Sequence, residues 1–246
     1  MRLFLQLYLA YLVADFIFHP SWMTRRRWST SVLSGHLAIH IGSGCVAVNL
    51  GLTRFVMISI VALSLAHVGL DYAQTRWVRN GWLTFAIFQM AHALVVAVAS
   101  AGLTLAPPEI LAAIERGARN THLYLYLSAY LAVIFGGGYF VQAVTQPFLE
   151  VVRSDLKPGL PSAGRYIGWI ERFLILTFVL SGYDAAIGFL LAVKALARYP
   201  EIKEDSRGHF AEYFLIGTLT SVGLALAAGI VVRELIGLLN DNVLRL

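Results

Sequence analysis

Apolar runs of roughly 20 residues recur along the whole chain, separated by polar breaks of only a few residues. At 1.5 Å rise per residue, about 20 apolar residues in a helix cross the hydrocarbon core of a bilayer. A water-soluble fold of this size could not cover such a chain with polar surface, since 58% of its 246 residues are apolar and 13% charged. The pattern predicts an all-α, polytopic transmembrane helix bundle of eight spans, at residues 3–19, 30–51, 54–74, 83–105, 122–146, 166–181, 185–199 and 211–235. Residues 3–18 read as a retained span, because Arg25, Arg26 and Arg27 follow the run and no small-residue cleavage pattern appears.

The breaks set the organisation. Pro107-Pro108 closes the fourth span, and residues 109–120 read as a short amphipathic segment at the interface. The expected division is a four-helix module over 1–106, an interfacial linker over 107–121 and a second four-helix module over 122–246. Lys and Arg favour cytoplasmic loops. One set of helix ends holds Arg25, Arg26, Arg27, Arg76, Arg79, Arg153, Lys157, Arg165, Arg198, Lys203 and Arg207; the other holds Arg2, Arg54, Arg116, Arg119, Arg233 and Arg245. The imbalance predicts both termini outside the cytoplasm. The net charge of +5 is spread over these ends and makes no continuous basic stripe, which argues against nucleic acid and for membrane lipids as partners. The single Cys45 lies in an apolar run and reads as an inert, buried thiol.

Ionisable side chains inside a span cost a few kcal/mol each and usually face the bundle interior, a partner or a wet cavity. The first four spans carry Asp15, His36, His40, His67, Asp71, Gln89 and His92. His36 and His40 are four apart, as are His67 and Asp71, and Gln89 and His92 are three apart, so each pair lies on one helix face. All fall in a layer about 6–15 Å below the expected cytoplasmic surface. Imidazole and carboxylate from four facing helices suit a divalent metal, with His40, His67, Asp71 and His92 as ligands. Asp15, His36 and His19 are the expected catalytic groups, orienting histidines or moving protons, and Gln89 is expected to contact substrate. The plain alternative is packing, in which the same groups hydrogen-bond across helices at about 1 kcal/mol apiece.

In the second half, Glu171, Lys194, Arg198 and Glu212 lie near the same ends of their helices. Buried ion pairs would explain them, and so would a substrate-binding role in which Lys194 and Arg198 hold a phosphate group. The Gly136–Gly138 run lacks a following Lys-Ser/Thr and reads as a site of close helix packing or a kink. Shifting the chain by 127 residues lays Asp15, His19 and Pro20 on Gln142, Gln146 and Pro147, and lays His67 and Asp71 on Lys194 and Arg198. Such a faint repeat would suit two parallel halves.

The order Asp15-Phe16, a polar residue at 19, His40, His67 with Asp71, and Gln89 with His92 resembles the bacterial membrane family known as domain of unknown function 3307. Gly168-x-x-Glu171-Arg172, Lys194-x-x-x-Arg198-Tyr199 and Glu212-Tyr213-x-x-Ile216-Gly217-Thr218-Leu219 resemble the C-terminal part found in many members. This chain departs from the usual pattern at Tyr11, where members carry His, at His19, where they carry Gln, and at Phe88, where Asp commonly precedes the Gln. The family is similar in pattern to membrane proteins described as metal-dependent hydrolases. The resemblance implies a multi-pass protein of the bacterial inner membrane. With the residues above, it leads to the expectation of a metal-dependent hydrolase acting on a lipid-linked or phosphorylated substrate at the cytoplasmic leaflet. A proton or cation transporter and a non-catalytic membrane effector that acts by homo-oligomer assembly are the rival classes.

Overall fold

The computed structural model describes residues 1–18, 30–48, 53–77, 81–117, 120–152, 160, 162–205 and 208–243. Among them the chain is helical throughout, with no strand. It divides into two compact units, Met1–Leu131 and Ala132–Leu246.

In the first unit, α1 (Arg2–Leu12) continues into a π-helical turn at Val13–Ile17. There follow α2 (Thr30–Ala47), α3 (Arg54–Trp77), α4 (Trp82–Leu103), the short α5 (Pro108–Gly117) and α6 (Thr121–Leu131). Proline supplies no N–H, so α4 cannot run through Pro107-Pro108, whereas a proline at the first position of α5 costs nothing. The Asn120 side chain accepts the Leu123 N–H at 3.0 Å and caps α6. Helix α1 packs on α2, α2 on α3, α3 on α4, and α4 back on α1, closing a four-helix ring. Contact with α6 is made by α1, where Arg2 Nε donates to Thr121 Oγ1 at 3.0 Å.

The exterior of this ring is apolar, unlike that of a soluble bundle, and its interior holds a buried polar layer among apolar side chains. On α4, Met90, Leu94 and Val98 point outward at 74%, 64% and 66% exposure, while His92 is only 3% exposed. On α3, Ile58 and Leu65 point outward and Ser64 and His67 inward. Lipid tails solvate such an exterior without cost, and the buried polar groups then find partners only inside.

In the second unit a π-helical turn at Ala132–Gly136 leads into α7 (Gly137–Val152), followed by α8 (Ala163–Ser181), α9 (Asp184–Ala197), α10 (Tyr199–Glu204) and α11 (His209–Val243). Helix α11 packs on both α7 and α8, and α9 packs on α8. Gly182 ends α8 at φ 74°, a left-handed conformation that favours glycine, and the Tyr183 N–H closes the turn on Phe178 O at 2.9 Å. Asp205 Oδ2 accepts the N–H groups of Phe210 and Ala211 and caps α11.

Gly137, Gly138 and Gly168 surround the Arg172 guanidinium so closely that a Cβ on Gly138 would stand 2.9 Å from Arg172 Nη2. Arg172 Nε and Nη2 donate to Ile134 O at 3.2 and 2.8 Å, and Nη1 donates to Ser221 Oγ at 3.2 Å. Ile134 belongs to the π-helical turn, whose altered ladder leaves its carbonyl turned toward the guanidinium.

Among the described residues four helical stretches are long and apolar enough to cross a membrane: Arg54–Gln74, Trp82–Leu103, Thr121–Leu149 and His209–Asn240. By length and composition they mark a membrane protein. Four is fewer than the eight expected. The helix Ser31–Ala47 is apolar but short, α9 has 14 residues, and α8 carries Arg165, Glu171 and Arg172 within its length.

Candidate metal centre

The ring of α1 to α4 turns four helix faces toward one another, and the ionisable residues lie on those faces. Asp15 comes from the π-helical turn that ends α1. A π-helical turn inserts one residue into the helical register and re-aims the side chains around it. His36 and His40 come from consecutive turns of α2, His67 and Asp71 from consecutive turns of α3, and His92 from α4.

All six residues meet. His36 Nε2 lies 3.0 Å from Asp71 Oδ2, His67 Nε2 lies 3.2 Å from the same oxygen, and His92 Nε2 lies 3.5 Å from Asp71 Oδ1. Asp15 Oδ1 lies 3.6 Å from His67 Nε2. His67 is the hub: its ring centroid is 3.9 Å from that of His40, 4.4 Å from His92 and 5.4 Å from His36. The four histidines are buried, and the side chains of Asp15 and Asp71 are 16% and 34% exposed. The layer is therefore most open at Asp71.

The donor set fits a divalent cation. Two atoms each about 2.1 Å from one ion at tetrahedral angles stand about 3.4 Å apart, a separation that the nitrogen–oxygen distances of 3.0–3.6 Å bracket. Two groups of side chains, Asp15 with His36, His40 and His67, and His67 with Asp71 and His92, each offer ligand atoms within 4.8 Å of one another. His40 Nε2 is buried and has no hydrogen-bond partner among the described residues. Buried polar nitrogens are seldom left so, and a cation would satisfy it.

Tyr11 belongs to the same site. Its hydroxyl donates to Gln89 Oε1 at 2.8 Å, and its ring lies 5.1 Å from His67 and 5.5 Å from His92, centroid to centroid. Gln89 thus holds Tyr11 in place. The sequence carries one signal for this: Tyr11 lies one helical turn before Asp15, on the face that also bears the carboxylate. A small cavity runs between Tyr11, His40, His67 and His92 and the apolar walls made by Leu7, Ile60, Leu63 and Val95. It has room for water-sized molecules, about 20 Å³.

The remaining expected site residues are Glu171, Lys194, Arg198, Glu212 and His19. Lys194 Nζ donates to Glu171 Oε2 at 2.6 Å and lies 5.6 Å from the centre of the Phe214 ring. Arg198 Nη1 donates to Glu201 Oε1 at 2.9 Å on the surface, and Glu212 is exposed. These residues all belong to the second unit, where the two cations are taken up by carboxylates of their own. His19 lies outside the described residues.

Residues 3–116 match the model of a family described as a protein of unknown function (DUF3307). The matched segment contains every residue of the histidine–aspartate layer. Comparison with curated proteins and with solved structures finds no match.

Proposed function

We propose that this chain is a membrane-embedded, metal-dependent hydrolase acting on a lipid-linked or phosphorylated substrate at the cytoplasmic leaflet. The observation that carries the reading is the convergence of four buried imidazoles and two carboxylates from four helices. Packing alone needs no such concentration, because cross-helix hydrogen bonds between polar side chains contribute only about 1 kcal/mol each. His40, His67, His92 and Asp71 would hold the cation. A divalent cation supplies Lewis acidity and an activated water for attack on a phosphoryl or carbonyl centre. Asp15 faces His67 and fixes its ring, and His36, against Asp71, is placed to pass a proton. The cavity beside His40 gives water a place next to the donors.

In this reading the shorter apolar helices also cross the bilayer, giving eight spans in two groups of four. Residues 2–17 cover about 24 Å as a helix, enough for a span with local thinning. The Lys and Arg bias supports a layer near the cytoplasmic leaflet, and in this reading the membrane is a bacterial inner membrane.

The test uses the full chain in mild detergent with a panel of lipid-linked phosphate esters. Hydrolysis is expected, is lost after chelation, and returns on adding back a divalent metal. Absence of turnover on every ester, together with pH-dependent flux in proteoliposomes that His67→Ala abolishes, would replace hydrolysis by transport.

A further inference from the structure

The first turns of α8 carry hydrogen-bond donors for which the fold supplies no acceptor. Arg165, Gly168, Trp169 and Arg172 fall three or four residues apart and share one face of the helix. The exposed Arg165 guanidinium lies over the rings of Tyr166 and Trp169, 5.6 and 5.5 Å from their centres. Trp169 is held edge-on by Tyr166 and Phe135, at 5.2 and 4.9 Å between ring centres. Stacking occupies the flat face of a guanidinium and leaves its N–H edge for bidentate recognition of an oxyanion. Among the described residues, neither the Arg165 side chain nor the Trp169 indole N–H has a hydrogen-bond acceptor, and no carboxylate pairs with Arg165.

Charge is out of balance along the same face. Arg172, buried at 3% exposure, directs its bonds to neutral acceptors, the Ile134 carbonyl and the Ser221 hydroxyl. Glu171, the single carboxylate of α8, is taken by Lys194 at 2.6 Å, so Arg165 and Arg172 leave two positive charges on the helix. A Cβ on Gly138 would stand 2.9 Å from Arg172 Nη2 and 3.6 Å from Trp169 Nε1, which sets the buried cation close to the indole N–H. A charge without a counter-charge is costly away from water, and an anion at the Trp169 edge would offset it.

We propose that Arg165 and Trp169 bind the phosphate of an anionic phospholipid, with Arg172 adding positive charge from the protein side. The site rests on α8 being a span, as in the reading above, and is independent of the metal. The first turns of such a span lie at headgroup level, where Trp and Tyr are favoured and basic side chains attract anionic lipid. The N-terminal turn of the helix adds its partial positive charge. Tyr166, Ile170 and Phe173 form the adjoining stripe of α8, and all three are exposed. That apolar surface suits acyl chains below a headgroup and has no use for a soluble anion.

The experiment titrates the full chain in detergent with dioctanoyl phosphatidylglycerol, in parallel with dioctanoyl phosphatidylcholine and with inorganic phosphate, by calorimetry. The two lipids share the phosphate, but only the first carries net negative charge. Phosphatidylglycerol is expected to bind about tenfold more tightly than phosphatidylcholine. Arg165→Gln is expected to weaken it about tenfold, and Trp169→Phe, which keeps a ring and deletes the N–H, about fivefold. Arg198→Gln, at an exposed cation paired with Glu201, should leave the affinity unchanged. Equal affinity for the two lipids, or parental binding by Arg165→Gln, overturns the site. An equal loss in Arg198→Gln reduces the effect to general surface charge and overturns it as well. Displacement of the lipid by inorganic phosphate reassigns the site to a soluble anion and overturns the lipid. Parental binding by Trp169→Phe removes the indole from the site.

Discussion

His67 makes more contacts to ionisable groups than its neighbours: it touches both aspartates of the layer, and the rings of His36, His40 and His92 stand around it. Removing it takes a ligand from the centre and leaves both carboxylates without that imidazole. His67→Ala is therefore expected to weaken divalent-metal binding at least tenfold, a scale typical of disturbing the surroundings of a metal site. His122→Ala, at the start of α6 and outside the layer, should leave the affinity unchanged in the same calorimetric titration. Tyr11→Phe keeps the ring against His67 and His92 but deletes the 2.8 Å bond to Gln89. Its expected cost is about 1 kcal/mol, read from chemical unfolding in detergent. The paired histidines and Asp71 were legible because residues four apart on a helix share a face, whatever the tertiary fold. Tyr11 was noticed only as a departure from a family pattern, since an aromatic residue in an apolar run gives no sign of which polar group its hydroxyl reaches. For Lys194 and Arg198 the sequence left ion pairing and joint anion binding both open; Lys194 meets Glu171 on another helix, which spacing cannot reveal, whereas the partner of Arg198, Glu201, lies only three residues on.

At the level of elements, helix existence followed from hydropathy, and the break after α4 followed from Pro107-Pro108. The two π-helical turns, Val13–Ile17 and Ala132–Gly136, were not legible. One additional residue in a helical turn leaves the apolar periodicity on either side almost unchanged. Yet the first carries Asp15, and the second presents the Ile134 carbonyl to Arg172. The neighbouring glycines give a discriminating pair of substitutions. Gly229→Ala would bring a Cβ within 2.6 Å of Val179 Cγ1 and 2.8 Å of Val179 Cβ, where α11 and α8 pack. Overpacking of this kind is expected to cost about 1–3 kcal/mol. Gly223, on the same helix, has nothing within 4 Å of a built Cβ, and Gly223→Ala should be neutral or stabilising by up to about 1 kcal/mol. Thermal melts of the two variants beside the parent chain check the contrast.

In the first unit an apolar exterior surrounds a buried histidine–aspartate layer, and the lack of any polar partner outside forces those histidines and aspartates together. Burial in lipid removes water as an alternative partner, so the groups must satisfy one another or a bound ion. The membrane class was legible because it depends only on apolar length, and the convergence of the layer because it depends on helix periodicity and common depth. X-ray absorption at the edge of the metal retained by the full chain, purified without chelator, tests the centre most directly. The account predicts a first shell of nitrogen and oxygen at about 2.1 Å with the outer-shell scattering of several imidazoles. A chain that retains no metal, or a metal whose shell contains no imidazole, would contradict it.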